Sequence, residues 1–421
     1  MTGYMDLDGL SLTKIVRHFP GSGIRDLEAA VAGEFSRRDS MFRAFRPGAR
    51  IAVAVGSRGI ANLAPIVRAV VRELTDRGAR PFIVPAMGSH GGATAEGQRE
   101  VLAGYGIIEA GIGAPVVSSL DVVELTVAPD GTRVYMARDA WGSDGVLLVN
   151  RVKPHTDFHG PHESGLLKMA VIGLGKRTQA LEIHSHGVAG LRERILPAAR
   201  VVLGTGKILG GLGIVENARE ETEILRLVPG EDLVRADREL LERARGLQPG
   251  LPVEDLDVLL VDEMGKDVSG VGMDSGVIGR IRVRGQEEPD RPRISSIAVF
   301  DLTEASHGNA LGVGLADVVT RRLRDKVDLG ATLENVVTSG FLERGKIPLA
   351  AETDRAAVEI ALRGASVRDL SRARILRIQN TLRLEELWAS DALLAELAGR
   401  EGVEITGERA PLLDGHDLGR F

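Results

Sequence analysis

The chain has 421 residues, 43% of them hydrophobic and 27% charged, with a net charge of −6 spread over both signs. That length exceeds what one core usually serves, so two domains are expected; the charge balance and the 3% aromatic content argue against nucleic acid as a partner. There are no cysteines, which excludes disulfides, thiolate metal sites and cysteine nucleophiles, so a metal has to be held by His, Asp, Glu or a cofactor's own donors.

Met1–Leu12 is polar and mildly acidic, without the basic-then-apolar pattern of an export signal. No apolar run approaches the roughly 20 residues of a membrane span. A cytoplasmic protein without a membrane partner is expected. Ile51–Val55 reads as a buried strand that leads through Gly56-Ser57-Arg58-Gly59 into a helix over Asn62–Arg77, with Gly78 as its C-terminal cap. Pro81–Val84 is the next strand, followed by Gly88–Gly92 and a helix over Ala95–Ala103. This strand–helix alternation implies parallel strands with crossover helices. Val122–Thr126 and Arg133–Ala137, around Asp130-Gly131, predict an antiparallel hairpin, and Gly145–Asn150 predicts another buried strand. Arg200–Leu203 and Glu223–Leu227 read as strands and Glu231–Leu247 as a helix.

Gln248-Pro249-Gly250-Leu251-Pro252 is the strongest punctuation in the chain. It divides an N-terminal domain, residues 1–250, expected to hold the chemistry carried by the histidine-rich stretch below, from a C-terminal domain, residues 253–421. Strands are expected there at Val258–Val261, Ser296–Phe300 and Arg374–Ile378, and helices at Ala310–Lys326, Asp354–Arg363 and Arg383–Ala398. The fold class is α/β: two α/β domains with mainly parallel sheets and an active-site cleft between them.

Five of the nine histidines fall between His155 and His186, in company with Lys153, Asp157, Glu163, Lys168 and Lys176. Imidazole is the commonest metal ligand and titrates near neutral pH. The stretch starts at the C-terminal end of a parallel strand, where α/β sheets place their ligands. Lys168 interrupts the apolar run Gly165–Ile172. Such a lysine either snorkels to water or is used chemically, because desolvation favours the neutral nucleophile. His184 and His186 would share a face in a strand and splay in a helix, so a chelating pair and a single ligand both stay open. His90 and Arg58 lie in glycine-containing loops after the two preceding strands. The arginine fork suits a carboxylate or phosphate, and the glycines let backbone N–H groups approach an anion. In the second half, Lys266 in the loop Asp262–Asp274 and the segment Thr303–Asn309 also follow strands.

These motifs resemble the lactate racemase family, whose founding enzymes use a nickel-pincer nucleotide. Gly88-Ser89-His90 is similar to its Gly-Thr-His motif and Pro154-His155 to its Pro-His motif, each the source of a catalytic histidine. Ser164–Lys168 resembles the segment ending in the cofactor-bearing lysine, and His184, sixteen residues on, falls at the spacing of the nickel ligand. The resemblance implies an isomerase, a racemase or epimerase of a 2-hydroxy acid. In it His90 and His155 are the acid–base pair, Lys168 carries the cofactor covalently and His184 ligates nickel. Arg58 would contact the cofactor or the substrate carboxylate, and Lys266 and His159 are further substrate-binding candidates. His155 and Lys168 are thirteen positions apart, more than the family's usual interval, so His159 is the alternative second base. No acidic residue stands just before Arg58, and the second domain has no clear counterpart of the family's glutamine and lysine. These departures imply a divergent branch acting on a substrate other than lactate. The implied partners are a small-molecule 2-hydroxy acid and the enzymes that make and load the cofactor; a homo-oligomer is compatible with the sequence. The residues alone also allow a zinc hydrolase built on the His155–His186 cluster, with an open position for water. A non-catalytic anion-binding protein is the third reading.

Overall fold

The computed structural model describes residues 6–43, 45–56 and 59–419. The chain forms two compact units. One is Pro20–Gln248, and the other joins the chain through Phe19 to everything from Pro249 onward.

After β1 (Ser11–Arg17), which belongs to the second unit, the first unit opens with α1 (Leu27–Arg37). Its strands are β2 (Arg50–Val55), β3 (Arg80–Pro85), β4 (Val122–Val127), β5 (Arg133–Ala137), β6 (Gly145–Arg151), β7 (Ile208–Glu216) and β8 (Thr222–Pro229). Five of them form a sheet in the order β3-β2-β6-β7-β8, parallel except for the antiparallel edge strand β8. β4 and β5 make the separate hairpin expected from their turn. The helix α2 (Leu63–Asp76) has the predicted 3.6-residue apolar stripe. Ile66, Val67, Val70 and Leu74 are buried against Ile51, Val53, Val55, Leu147 and Val149 of the sheet. Gly78 follows it at φ +80, a conformation that favours glycine. The helices α3 (Ala95–Gly104), α4 (Lys176–His184), α5 (Ile195–Gly204) and α6 (Leu233–Leu247) complete the unit.

The second unit is built on an eight-stranded sheet. Its strands are β9 (Asp255–Met264), β10 (Arg293–Leu302), β11 (Val318–Thr320), β12 (Leu349–Ala351), β13 (Ile375–Ile378), β14 (Glu386–Ala389) and β15 (Val403–Pro411), in the order β12-β11-β10-β9-β13-β14-β1-β15. The first five strands in that order are parallel and the last three run antiparallel to their neighbours. Both faces are covered: Leu259, Val261, Val299 and Leu376 enter one core, and Val258, Leu260, Phe300 and Ile375 enter the other with α7 (Asp354–Gly364). Two-residue alternation with both sides apolar is what a doubly covered sheet requires. The protein is thus α/β, with two units whose sheets are mainly parallel. Among the described residues no helix is long and apolar enough to cross a membrane.

Four assignments are corrected. Arg200–Leu203 is not a strand but part of α5, whose buried Ile195, Ala198, Ala199 and Val202 make one helical face. Tertiary packing here overrides the strand preference of the two valines. Ala310–Lys326 is not one helix: glycines at 312 and 314 lie in a turn, followed by β11 and a short helix, Arg321–Asp325. Arg383–Ala398 is likewise β14 followed by α8 (Asp391–Leu397). The break falls at Ser390, whose Oγ accepts from the Ile375 N–H at 2.9 Å. The chain through Phe19, read as part of the N-terminal domain, belongs to the second unit, because β1 inserts between β14 and β15.

Ile15 of β1 is fully buried and sits opposite Leu387 and Ile405. Ile15→Ala should cost about 2–5 kcal/mol. Hydrogen-exchange mass spectrometry should show faster exchange in β14 and β15 and unchanged protection in β2 and β6. Equal acceleration in all four strands would contradict this placement of β1.

Candidate active site

Because β2, β3 and β6 are parallel and in register, with Val55 opposite both Pro85 and Val149, their C-terminal ends open on one edge of the sheet. The loops that follow them therefore share that edge. They are the segment around Gly56–Ala61, the His90 loop and the His155 loop. Ser57 and Arg58 lie outside the described residues.

The His155 loop is folded around a buried carboxylate. Lys153 and Ser164 close its neck, with the Lys153 N–H donating to the Ser164 carbonyl at 2.8 Å. Inside it, Glu163 Oε2 accepts from the His155 N–H at 2.5 Å, and Oε1 accepts from the Gly160 N–H at 3.0 Å and from Arg245 Nη2 of α6 at 2.6 Å. Burial pushes the Glu163 carboxyl up, but His159, the two backbone N–H groups and Arg245 outweigh it and hold the group below the usual glutamate value. The His155 ring packs on buried Phe158 at 4.5 Å between centroids. Its Nδ1 accepts from the Asp157 N–H at 3.1 Å, and the Asp157 carboxylate lies 3.7 Å away. His159 points its Nδ1 toward Glu163 at 3.6 Å and is largely exposed.

The helical segment carrying Lys168 begins at Leu166 because Asp237 makes it begin there. Asp237 is a fully buried acid on α6. Its Oδ1 accepts from the N–H groups of Leu166 at 2.7 Å and Leu167 at 3.4 Å, and Oδ2 meets His162 Nδ1 at 3.2 Å. A carboxylate on the free N–H groups of a helix start is favourable in both hydrogen bonding and charge. Any Cβ at Gly165 would collide with Asp237 Oδ1, which is why glycine stands there. Lys168 follows, partly buried, and the chain continues as a π-helical turn over Met169–Gly173.

That turn receives the His90 loop. The Gly88 N–H approaches the Gly173 carbonyl at 3.4 Å. Gly88 has φ +60, and a Cβ there would stand 3.0 Å from Ile172 Cγ2. Lys176 opens α4 and is buried, with 1% of its surface exposed. Its Nζ donates to the Pro85 carbonyl at 2.6 Å and to Gln98 Oε1 at 3.1 Å. Burial lowers its pKa to about 8, and Asp139 opposes the shift. His184 closes the same helix. Although its ring reaches solvent, the surrounding protein and the Lys168 ammonium push its pKa below the ordinary histidine value, with Asp157 acting in the other direction.

The structure therefore packs the His90 loop onto the segments that carry Lys168 and His184, while the His155 loop closes at Lys153 and Ser164, just before the Lys168 segment begins. Lys266 lies in the other unit at the end of β9, where Nζ donates to the Gly270 carbonyl at 2.6 Å. Among the described residues no three His, Asp or Glu side chains converge as a metal-binding set. Residues that the sequence reading did not single out hold the framework. Asp237 and Gln98 were detectable as polar residues on the buried faces of amphipathic helices. Arg151 and Glu216, at the ends of β6 and β7, pair at 2.5 Å, and Glu216 Oε1 accepts from the Ala61 N–H at 2.7 Å. This pair fixes the chain just past Arg58, and nothing in the sequence marks it.

No family model matches the sequence, and no curated protein matches it. Among solved structures, the lactate racemase apoprotein from Thermoanaerobacterium thermosaccharolyticum shares the fold. The two chains are 12% identical and superpose with a TM-score of 0.54, covering 88% of this chain and 98% of that one.

The buried Lys176 gives a test of this geometry by pH. Its folded pKa of about 8 lies below the ordinary value of 10.5. The unfolded chain therefore binds more protons between those values, and the lysine's contribution to stability rises with pH across that window. The stability of wild type relative to Lys176→Met should increase from pH 8 to 10 by up to about 1.4 kcal/mol per pH unit. Urea unfolding of both proteins across this range measures it; a flat difference would mean that the amine is solvated.

Proposed function

We propose that the protein is a racemase or epimerase of a 2-hydroxy acid that works with a nickel-pincer nucleotide bound covalently to Lys168. The observation that carries this reading is the bonding of the His90 loop to the helical segments that carry Lys168 and His184, through the Gly88 N–H on the Gly173 carbonyl and Lys176 Nζ on the Pro85 carbonyl. Support also comes from the fold shared with a lactate racemase apoprotein.

The residues fit such a group. Lys168 offers a partly buried primary amine at a fixed helix start. Burial and the Lys168 ammonium lower the His184 pKa, which favours the neutral ring, the form that ligates a metal. A cofactor with its own soft donors needs little more from a chain without cysteine. When bound, the nucleotide supplies a reversible hydride acceptor for the otherwise unactivated α-carbon. The chain's own task is then to handle the hydroxyl proton and present the carbon on both faces.

His155 is built for the proton. With Nδ1 accepting from the Asp157 N–H, the neutral ring carries its proton on Nε2 and can hydrogen-bond a substrate oxygen there; it gives up a proton only from the imidazolium that forms once it has taken one up. Accepting a hydroxyl proton on Nε2 requires Nδ1 to hold the ring proton, on the side where the Asp157 carboxylate lies 3.7 Å away. Asp157 thus serves both states that an acid–base residue passes through. His159, turned toward Glu163, has the weaker claim to this role. His90, from a different loop, serves the opposite enantiomer, and Arg58 pairs with the substrate carboxylate.

Cofactor-loaded protein should invert a 2-hydroxy acid and keep a deuterium placed on its α-carbon when the reaction runs in ordinary water. Lys168→Ala and His184→Ala should abolish inversion, and His90→Gln or His155→Gln should reduce kcat on the order of a hundredfold or more. Chiral chromatography with mass detection reads both results. Loss of the label to solvent would instead indicate proton abstraction at carbon.

A further inference from the structure

Lys176 and Gln98 have no part in the chemistry above, yet both are buried polar side chains beside it. Lys176 is 1% exposed and Gln98 is fully buried. An ammonium or amine facing an amide oxygen fixes the orientation of that amide, because lysine has N–H groups to give and the oxygen can only accept. With Oε1 of Gln98 held by Lys176 at 3.1 Å, its Nε2 faces the His90 loop. There it donates to the Gly88 carbonyl at 2.8 Å and approaches the His90 carbonyl at 3.4 Å. The Lys176 amine also ties down the Pro85 carbonyl at the loop's entry. Lys176 has φ +57, a left-handed conformation that a side-chain-bearing residue adopts at a cost. It is the first residue of the helix that His184 ends.

We propose that Lys176, acting through Gln98, is a positioning residue for His90: a buried amine–amide relay that fixes the loop from Pro85 to His90 against the segment carrying Lys168 and His184. One end of a nine-residue helix then sets the His90 loop and the other end carries His184. Two groups from separate loops are referenced to one rigid element, as two-sided chemistry on a single carbon requires. The catalytic consequence rests on the reading of His90 as an acid–base residue, whereas the structural consequence does not.

The test uses the full chain and three variants. Lys176→Met removes the donor. Gln98→Glu keeps an acceptor for Lys176 but replaces the amide N–H groups with an oxygen that repels the two loop carbonyls. Gln98→Leu removes both functions. In the cofactor-free protein, histidine ring resonances are assigned by single substitutions. Gln98→Glu and Lys176→Met should displace the His90 signals and raise amide exchange at residues 88–90 at least tenfold. The His155 signals and the exchange of Leu166 and Leu167 should stay in place. In the loaded enzyme, kcat should fall at least tenfold while KM changes less than threefold. If Gln98→Glu melts like wild type and leaves the His90 signals and loop exchange unchanged, the relay is overturned, whatever the activity. If the loop responds as expected but the wild type inverts no 2-hydroxy acid, the relay stands and the functional reading fails. Should Lys176→Met not fold, the two Gln98 variants decide the matter.

Discussion

Asp237 meets the N–H groups of Leu166 and Leu167 in the interior of the first unit, and the position of the candidate site follows from where that contact holds the chain. A buried carboxylate costs several kcal/mol unless its oxygens are matched by donors. Here two backbone N–H groups and the His162 ring match it, and they do so only if the helical segment starts at Leu166. The place of Lys168 follows directly. The π-helical turn after it receives Gly88, and α4 beyond it ends in His184. The exclusion of any side chain at residue 165 is part of the same constraint.

The same device recurs around the sheet edge. Glu163 gathers the backbone of the His155 loop, Lys176 and Gln98 gather that of the His90 loop, and Glu216 with Arg151 holds the chain after β2. In each case a buried polar side chain is satisfied by loop backbone, so that the loop cannot move without exposing an unpaired group. Loops on their own are the mobile parts of a fold. Anchored in this way, they can present imidazoles from different parts of the chain with the precision that acid–base chemistry needs.

Much of this was legible in the sequence wherever the signal is local. Ile51–Val55 and Leu63–Asp76 declare themselves by a β-branched run and an apolar stripe, and the apolar run before the histidine-rich stretch is β6. Non-local pairings were not legible. β1 finds its partners in β14 and β15 at the far end of the chain, and no pattern within Ser11–Arg17 announces them. Short elements separated by one polar residue merged into single helices, as at Ser390. In the site, the groups with an obvious chemical identity were visible, and the polar residues that hold them were hidden in apolar surroundings. Asp237 is the instructive case: an acid among Leu233, Ala236, Leu240, Leu241 and Ala244 on a helix's buried face signals a partner inside the protein.

The central claim is that Lys168 carries the group on which inversion depends. Its most direct test is mass spectrometry of the peptide spanning Leu166–Lys176, from protein made in cells that synthesise the nickel-pincer nucleotide. The account predicts a mass increment confined to Lys168, absent from protein made without the biosynthetic enzymes. Active protein with an unmodified Lys168 would contradict it.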